Sequence, residues 1–457
     1  MPQLIIVTVY FFAMIGIGVW SKRRAGSQNG FFVAHRGGTL PLITGSLVAT
    51  AVGGSALIVT ASQGFDRGLT GAWWLLVGSV GLVLLGAFFA RKVRGTALYT
   101  LPELVGRQYD HRVSLAASIL IVIAWIGVVA GQIIAAGSFL SILGIGSATL
   151  WMVIFTLVVV IYAILGGQFS VIRTDLFQAA ILFVGIFAAL AVVFSQVGGF
   201  SELKASLPPD YFSFPLSPKF DGKMLLSLLI LVGATYVVGP DMYSRLFCAR
   251  GEKTAQQSAI LSAFLFIPLA FAIAFIGMSA KVLYPPIMSD QAFPQVVNRV
   301  LSPGLSGLIL AAVIAALMSS ADTCLLSQSV ILTQDIFKRF RPSSERRTIL
   351  LTRFSLVTLG ILALALALAL KQVYSSLMFA YTIFTCGLVV PVIAGFYKDK
   401  LRVTPRGALA ALIGGGIIGL LGKIPGLDIP LKGDLGLIGF AVSAILLFGV
   451  SLLTRKR

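Results

Sequence analysis

Eight consecutive residues carry the strongest chemical signal in this chain: Ala316-Leu317-Met318-Ser319-Ser320-Ala321-Asp322-Thr323, a polar cluster set in an otherwise apolar run from about Val296 to Thr333. At about 100° per residue on a helix, Ala316, Ser319, Ser320, Thr323 and Ser327 fall on one stripe, with Asp322 at its edge. Lipid offers such a stripe no hydrogen bonds, so it must face protein, water or an ion. Hydroxyl, carbonyl and carboxylate oxygens are hard ligands, suited to a small hard cation. An ionisable side chain at membrane depth marks a functional site by default.

The setting is a membrane. Of 457 residues, 58% are hydrophobic and 11% charged, and the mean hydropathy is +0.98. Apolar runs of roughly 18 residues or more read as transmembrane helices. Thirteen are expected, near 2–20, 41–63, 72–90, 113–143, 148–166, 174–197, 223–247, 256–284, 296–333, 347–370, 374–396, 405–421 and 435–454. With the N-terminus outside and the C-terminus cytoplasmic, 26 of the 35 Lys and Arg fall in inner segments, as the positive-inside rule requires. That bias also accounts for the net charge of +19. The basic residues punctuate helices and build no nucleic-acid face. Leu4–Trp20 has no basic segment before it and is followed by Ser21-Lys22-Arg23-Arg24, a stop-transfer pattern; it reads as a retained helix. Cys248, Cys324 and Cys386 lack metal or disulfide spacing and read as packing residues. His35 and His111 both lie at loop positions, and no nucleophile–base arrangement supports an enzyme. The outer loop 198–223 is expected to form a short lid or surface helix.

Two helices carry breaks. One contains Ala49-Thr50-Ala51-Val52-Gly53-Gly54-Ser55-Ala56, whose paired glycines favour unwinding; the other contains Val237-Val238-Gly239-Pro240-Asp241, where proline removes a donor and clashes with the preceding turn. Each break opens a block of five helices, about 41–197 and 223–396, and an odd block length gives the two blocks opposite orientations. Interrupted helices at matching places in inverted halves point to a transporter's midplane site.

With these residues the chain resembles the sodium:solute symporters. The likeness rests on Ala316–Asp322, on Gly166-Gly167 with Arg173-Thr174-Asp175-Leu176-Phe177-Gln178, and on Pro240-Asp241 with Arg245. It implies an all-α integral membrane protein in a single domain, 1–457: a leucine-transporter-like core of two inverted five-helix repeats, one extra N-terminal helix (2–20) and two extra C-terminal helices (405–421, 435–454). It implies Na⁺ as the coupling ion, bound by carbonyls of Ala51, Gly54 and Ala316 and hydroxyls of Ser319 and Ser320. Asp175 matches an acidic residue near a second sodium site in some members, where its companions would be Ser319, Asp322 and Thr323. Asp322 replaces the family's usual Ser, which leaves three readings open: a second Na⁺ site, a shared proton, or a structural pairing with a basic residue.

Solute is expected between the breaks. The candidates are Ser55, Tyr236, Gln132, Trp125, and Tyr381 with Thr385, spaced i, i+4. For each, an interhelical hydrogen bond or an interfacial aromatic is the alternative. Asp241 is expected to pair with Arg245 at i+4, although a carboxylate there would also suit an amino-bearing solute. The choline carriers' tryptophan in the first broken helix corresponds to Ala51, which argues against choline. The resulting expectation is a Na⁺-coupled importer of a small organic solute in the cell membrane, with lipid and solute as its only partners. An H⁺-coupled symporter is the alternative; a sensor is disfavoured because the chain ends three residues past its last helix, and a channel is a further class.

Overall fold

Backbone polar groups have no partner in hydrocarbon, so a chain this apolar satisfies them within helices. The computed structural model describes residues 2–22, 26–284, 286–299, 303–422 and 432–455, and it is nearly all helix. Ten helical stretches are long and apolar enough to cross a membrane, and two shorter apolar helices, Leu40–Ala51 and Pro405–Leu421, accompany them.

We label the main helices α1 (Pro2–Ser21), α2 (Leu40–Ala51), α3 (Gly54–Arg67), α4 (Trp73–Leu84), α5 (His111–Leu140) and α6 (Ala148–Val197). The second half holds α7 (Gly222–Leu228, continued by a π turn and Ala234–Val238), α8 (Pro240–Cys248), α9 (Glu252–Leu283), α10 (Pro303–Ile331), α11 (Glu345–Leu370), α12 (Val373–Phe384), α13 (Pro405–Leu421) and α14 (Leu435–Thr454).

Both expected breaks are present. Helix α2 stops at Ala51, Gly53 is extended (φ −64°, ψ 163°), and α3 starts at Gly54. Helix α7 stops at Val238, Gly239 is extended (φ −61°, ψ 138°), and Pro240 opens α8, where its missing N–H costs nothing.

The runs 148–166 and 174–197 are not separated by a loop. They form one 50-residue stretch, α6, interrupted only at Gly167 (φ 52°, ψ −160°). Glycine is needed there twice over: the backbone is left-handed, and a Cβ would lie 2.8 Å from the Phe31 ring. The segment 198–223 contains the helix Phe200–Ser206. Tyr211 from the same segment donates to the carbonyls of Phe65 and Asp66, pinning it to the end of α3.

Burial ranks the helices. The most apolar window of the α10 stretch is 94% buried, whereas those of α1 and α14 are 28% buried. Helix α10 is thus the axis of the bundle and α1 and α14 are peripheral. Exposed apolar side chains such as Phe12, Phe354, Ile361 and Leu452 face outward, as expected where the solvent is lipid. The three cysteines are buried and free.

Candidate functional site

The polar stripe of α10 is enclosed by protein. Ser319, Ser320, Asp322 and Thr323 are all buried, and α2, α6 and α8 pack around them.

Helix α2 ends beside α10 because glycine lets it approach. A Cβ on Gly53 would fall 2.1 Å from Ser320 Oγ, and one on Gly54 would fall 2.2 Å from Leu317 Cγ. In an unbroken helix the Ser55 N–H would donate to the Ala51 carbonyl. Here it donates instead to Gln132 Oε1 at 3.2 Å, and Gln132 Nε2 donates to Ser55 Oγ at 2.6 Å. The Ala51 carbonyl is thereby released from its helical partner. Ser320 Oγ donates to the Thr50 carbonyl at 2.6 Å, and Ser319 Oγ donates to Asp175 Oδ1 at 2.5 Å. A hydroxyl that has donated its hydrogen still offers lone pairs. The donor set, neutral oxygens around a helix break, therefore fits a monovalent cation. No group of three or more His, Cys, Asp or Glu suited to a transition metal occurs among the described residues.

One turn further, the arrangement departs from expectation. Arg245 is completely buried and does not pair with Asp241. Its Nη2 donates to Asp175 Oδ2 at 3.0 Å, to Thr50 Oγ1 at 3.1 Å and to Thr323 Oγ1. Ser46 also donates to Asp175. One guanidinium thus ties together α2, α6, α8 and α10, standing where Asp175, Ser319 and Thr323 would face a second ion. The physical reason is dielectric: a buried carboxylate needs a counter-charge far more than a partly exposed one does, and Asp175 is fully buried while Asp241 is not. Asp322 finds no basic partner. Its Oδ1 lies 3.2 Å from Thr323 Oγ1 and its Oδ2 has no hydrogen-bond partner. Arg245 as the mate of Asp175, with Ser46 and Thr50, escaped sequence reasoning. Ser46 and Thr50 at i, i+4 on α2 were the available signal, a polar pair on one face of a buried helix.

Between the two breaks lies a small central cavity of about 20 Å³, room for a single water. It is lined by Ala51 and Ser55 at the first break, Trp125 and Gln132 from α5, Tyr236 and Asp241 at the second break, Ser320 and Cys324 from α10, and Tyr381 from α12. Six of the seven side chains expected at the solute site are therefore gathered here. Thr385 is not. It donates to the Leu231 carbonyl at 3.0 Å and is fully buried. Leu231 lies in the π turn Leu229–Gly233, where the regular i+4 ladder is lost, and Thr385 itself opens a π turn in the facing helix. The hydroxyl serves that mismatch. Thr385→Val is expected to cost about 1 kcal/mol of stability while leaving the apparent Na⁺ Kd from thermal stabilisation unchanged; a shift in that Kd would return Thr385 to the site.

A polar centre of broken helices inside a nearly all-helical membrane bundle defines a secondary solute transporter rather than an enzyme. The chain belongs to the sodium:solute symporter family, whose profile it matches over residues 31–415. It is 25% identical to a sodium/glucose cotransporter 4 of Danio rerio over 92% of this chain and 71% of that protein. It is 26% identical to a sodium/glucose cotransporter of Vibrio parahaemolyticus over 93% and 84%, and 26% identical to a sodium/myo-inositol cotransporter 2 of Mus musculus over 92% and 69%. Its fold matches a Na⁺-coupled sialic acid symporter in a substrate-bound, outward-open state, with a TM-score of 0.81 and 21% identity over 100% of this chain and 98% of that one. The protein is a multi-pass membrane protein that carries a solute with Na⁺.

Proposed function

We propose that this chain imports a small organic solute across the cell membrane by alternating access, driven by Na⁺ bound at the first helix break. The proposed ligands are the carbonyls of Ala51, Gly54 and Ala316 and the hydroxyls of Ser319 and Ser320. The observation that carries this reading is the diversion of the Ser55 N–H to Gln132, which takes from the Ala51 carbonyl its helical donor at a break packed against Ser320. Bound Na⁺ would join α2 to α10 and favour the outward-facing form; solute would enter between the breaks as the helices part and the small cavity there widens, and would then favour closure. A neutral cage holds Na⁺ weakly enough to release it inside. Each Na⁺ moving inward down the potential supplies about 2.3 kcal/mol per 100 mV.

The thirteen-crossing topology follows if α2 with α3 counts as one crossing, α4 as the next, and α6 is divided at Gly167. It gives repeats of about 41–197 and 223–396, with the N-terminus outside. In this reading Arg245 acts as a fixed cation between Asp175 and Thr323, so that a single Na⁺ accompanies each solute. Asp322 supports a second reading, H⁺ coupling, because its unpartnered oxygen would be met most simply by a proton.

Purified protein should melt at a higher temperature in NaCl than in KCl of equal concentration, the added stability rising with the logarithm of Na⁺ concentration and reaching about 2.7 kcal/mol at a hundredfold excess over Kd. Uptake into proteoliposomes should fall when external Na⁺ is replaced by K⁺. Identical melting in the two salts, with transport that persists in K⁺ and collapses with a protonophore, would replace the Na⁺ reading with the H⁺ one.

A further inference from the structure

We infer that the transported solute carries a protonated amine and that Asp241 is its counter-ion; this rests on the transport reading above. Among the described residues, Asp241 is the only formally charged one lining the central cavity. Three ion pairs occur among the described residues, Lys219–Asp210, Lys223–Asp434 and Arg245–Asp175, and none includes Asp241. Its natural helical partner, Arg245 at i+4, is committed to Asp175, Thr50 and Thr323. The carboxylate sits in the first turn of α8, where the helix dipole contributes about 0.3–1 kcal/mol to an anion, up to about 2 when partly buried. Removing an ion from water costs several kcal/mol. The dipole therefore offsets only part of that cost once the cavity closes around solute and sheds its water. A solute bearing an ammonium group supplies the remaining counter-charge.

The walls suit an ammonium group. Trp125, Tyr236 and Tyr381 present aromatic surface to the same cavity, and a desolvated cation over such rings gains up to about 2 kcal/mol. Tyr236 is held firmly: a Cβ on Gly78 would lie 3.0 Å from its ring, so the ring rests on the bare backbone of α4. The Trp125 indole N–H is buried beside the weakly accepting Cys324 thiol, with no oxygen partner, so a solute hydroxyl or carbonyl would be a stronger acceptor for it. A neutral polyol would hydrogen-bond the carboxylate but leave its charge uncompensated.

The test uses matched pairs on the purified full chain in NaCl, with binding followed by calorimetry and melting temperature: glucosamine against glucose, 4-aminobutanol against 1,4-butanediol, and 2-aminoethanol against ethylene glycol. At least one amine should bind ten times or more tighter than its neutral partner. Asp241→Asn, which keeps the shape and loses the charge, should weaken that binding at least tenfold; Asp241→Glu should recover part of it. Binding of no amine, equal binding of both members of every pair, or amine binding unchanged in Asp241→Asn would overturn the inference. So would loss of Na⁺ stabilisation in Asp241→Asn, which would make Asp241 an ion ligand. The NaCl-versus-KCl melting difference of the unaltered protein is read first; its absence would refute the transport reading itself, separately from the amine.

Discussion

Ser319→Ala combined with Ser320→Ala raises the apparent Na⁺ Kd, read from the concentration dependence of thermal stabilisation, at least a hundredfold. Two of the five proposed ligands disappear, and a loss of about 1.4 kcal/mol per ligand is a factor of ten each. The same hydroxyls have structural duties: Ser319 donates to Asp175 and Ser320 to the Thr50 carbonyl. Leaving a buried acceptor unmet costs about 1–3 kcal/mol, so the variant also melts earlier in KCl, where no Na⁺ contributes. The difference between NaCl and KCl isolates the ion from the fold. If the double variant is destabilised in KCl yet keeps its full Na⁺ response, the ion lies elsewhere.

The largest stability effect belongs to Arg245. Removing one partner of a buried ion pair costs about 3–5 kcal/mol because the other charge is stranded, and Arg245 and Asp175 are both fully buried. Arg245→Met is expected to lower the melting temperature sharply and reduce the yield of folded protein. Arg245→Met with Asp175→Asn should recover most of the loss, since neither charge then remains in the core. A double-mutant cycle measures this directly. Additive losses would show that the guanidinium contributes by filling space rather than by neutralising Asp175. Arg245→Lys should be intermediate: the charge is kept, but all three contacts are made by Nη2 at the far end of the side chain, and the shorter lysine reaches that point less well.

Much of this protein was legible before any coordinates. Apolar run lengths reported the membrane helices because hydrocarbon accepts little else, and Gly53-Gly54 and Gly239-Pro240 announced the breaks because their backbone chemistry is local. The stripe Ala316–Thr323 announced a protein-facing polar surface for the same reason. Nearness to a break singled out Ser55, Tyr236 and Asp241, and helical spacing joined Trp125 to Gln132; with Tyr381 these share one cavity. Spacing failed at Thr385, which is absent from that lining and donates to the Leu231 carbonyl. It failed again at Arg245, where the i+4 rule pointed to Asp241.

That second failure has a general cause. Local rules weigh partners by spacing along the chain, whereas a buried charge is paired by the cost of leaving it unpaired, which depends on how four helices close around it. Asp175 and Arg245 stand 70 residues apart, and nothing in either segment names the other. The membrane class, the broken helices and the polar stripe were therefore written in local sequence. Which carboxylate is neutralised within the bundle, and which is left facing the cavity, emerged only when the helices packed.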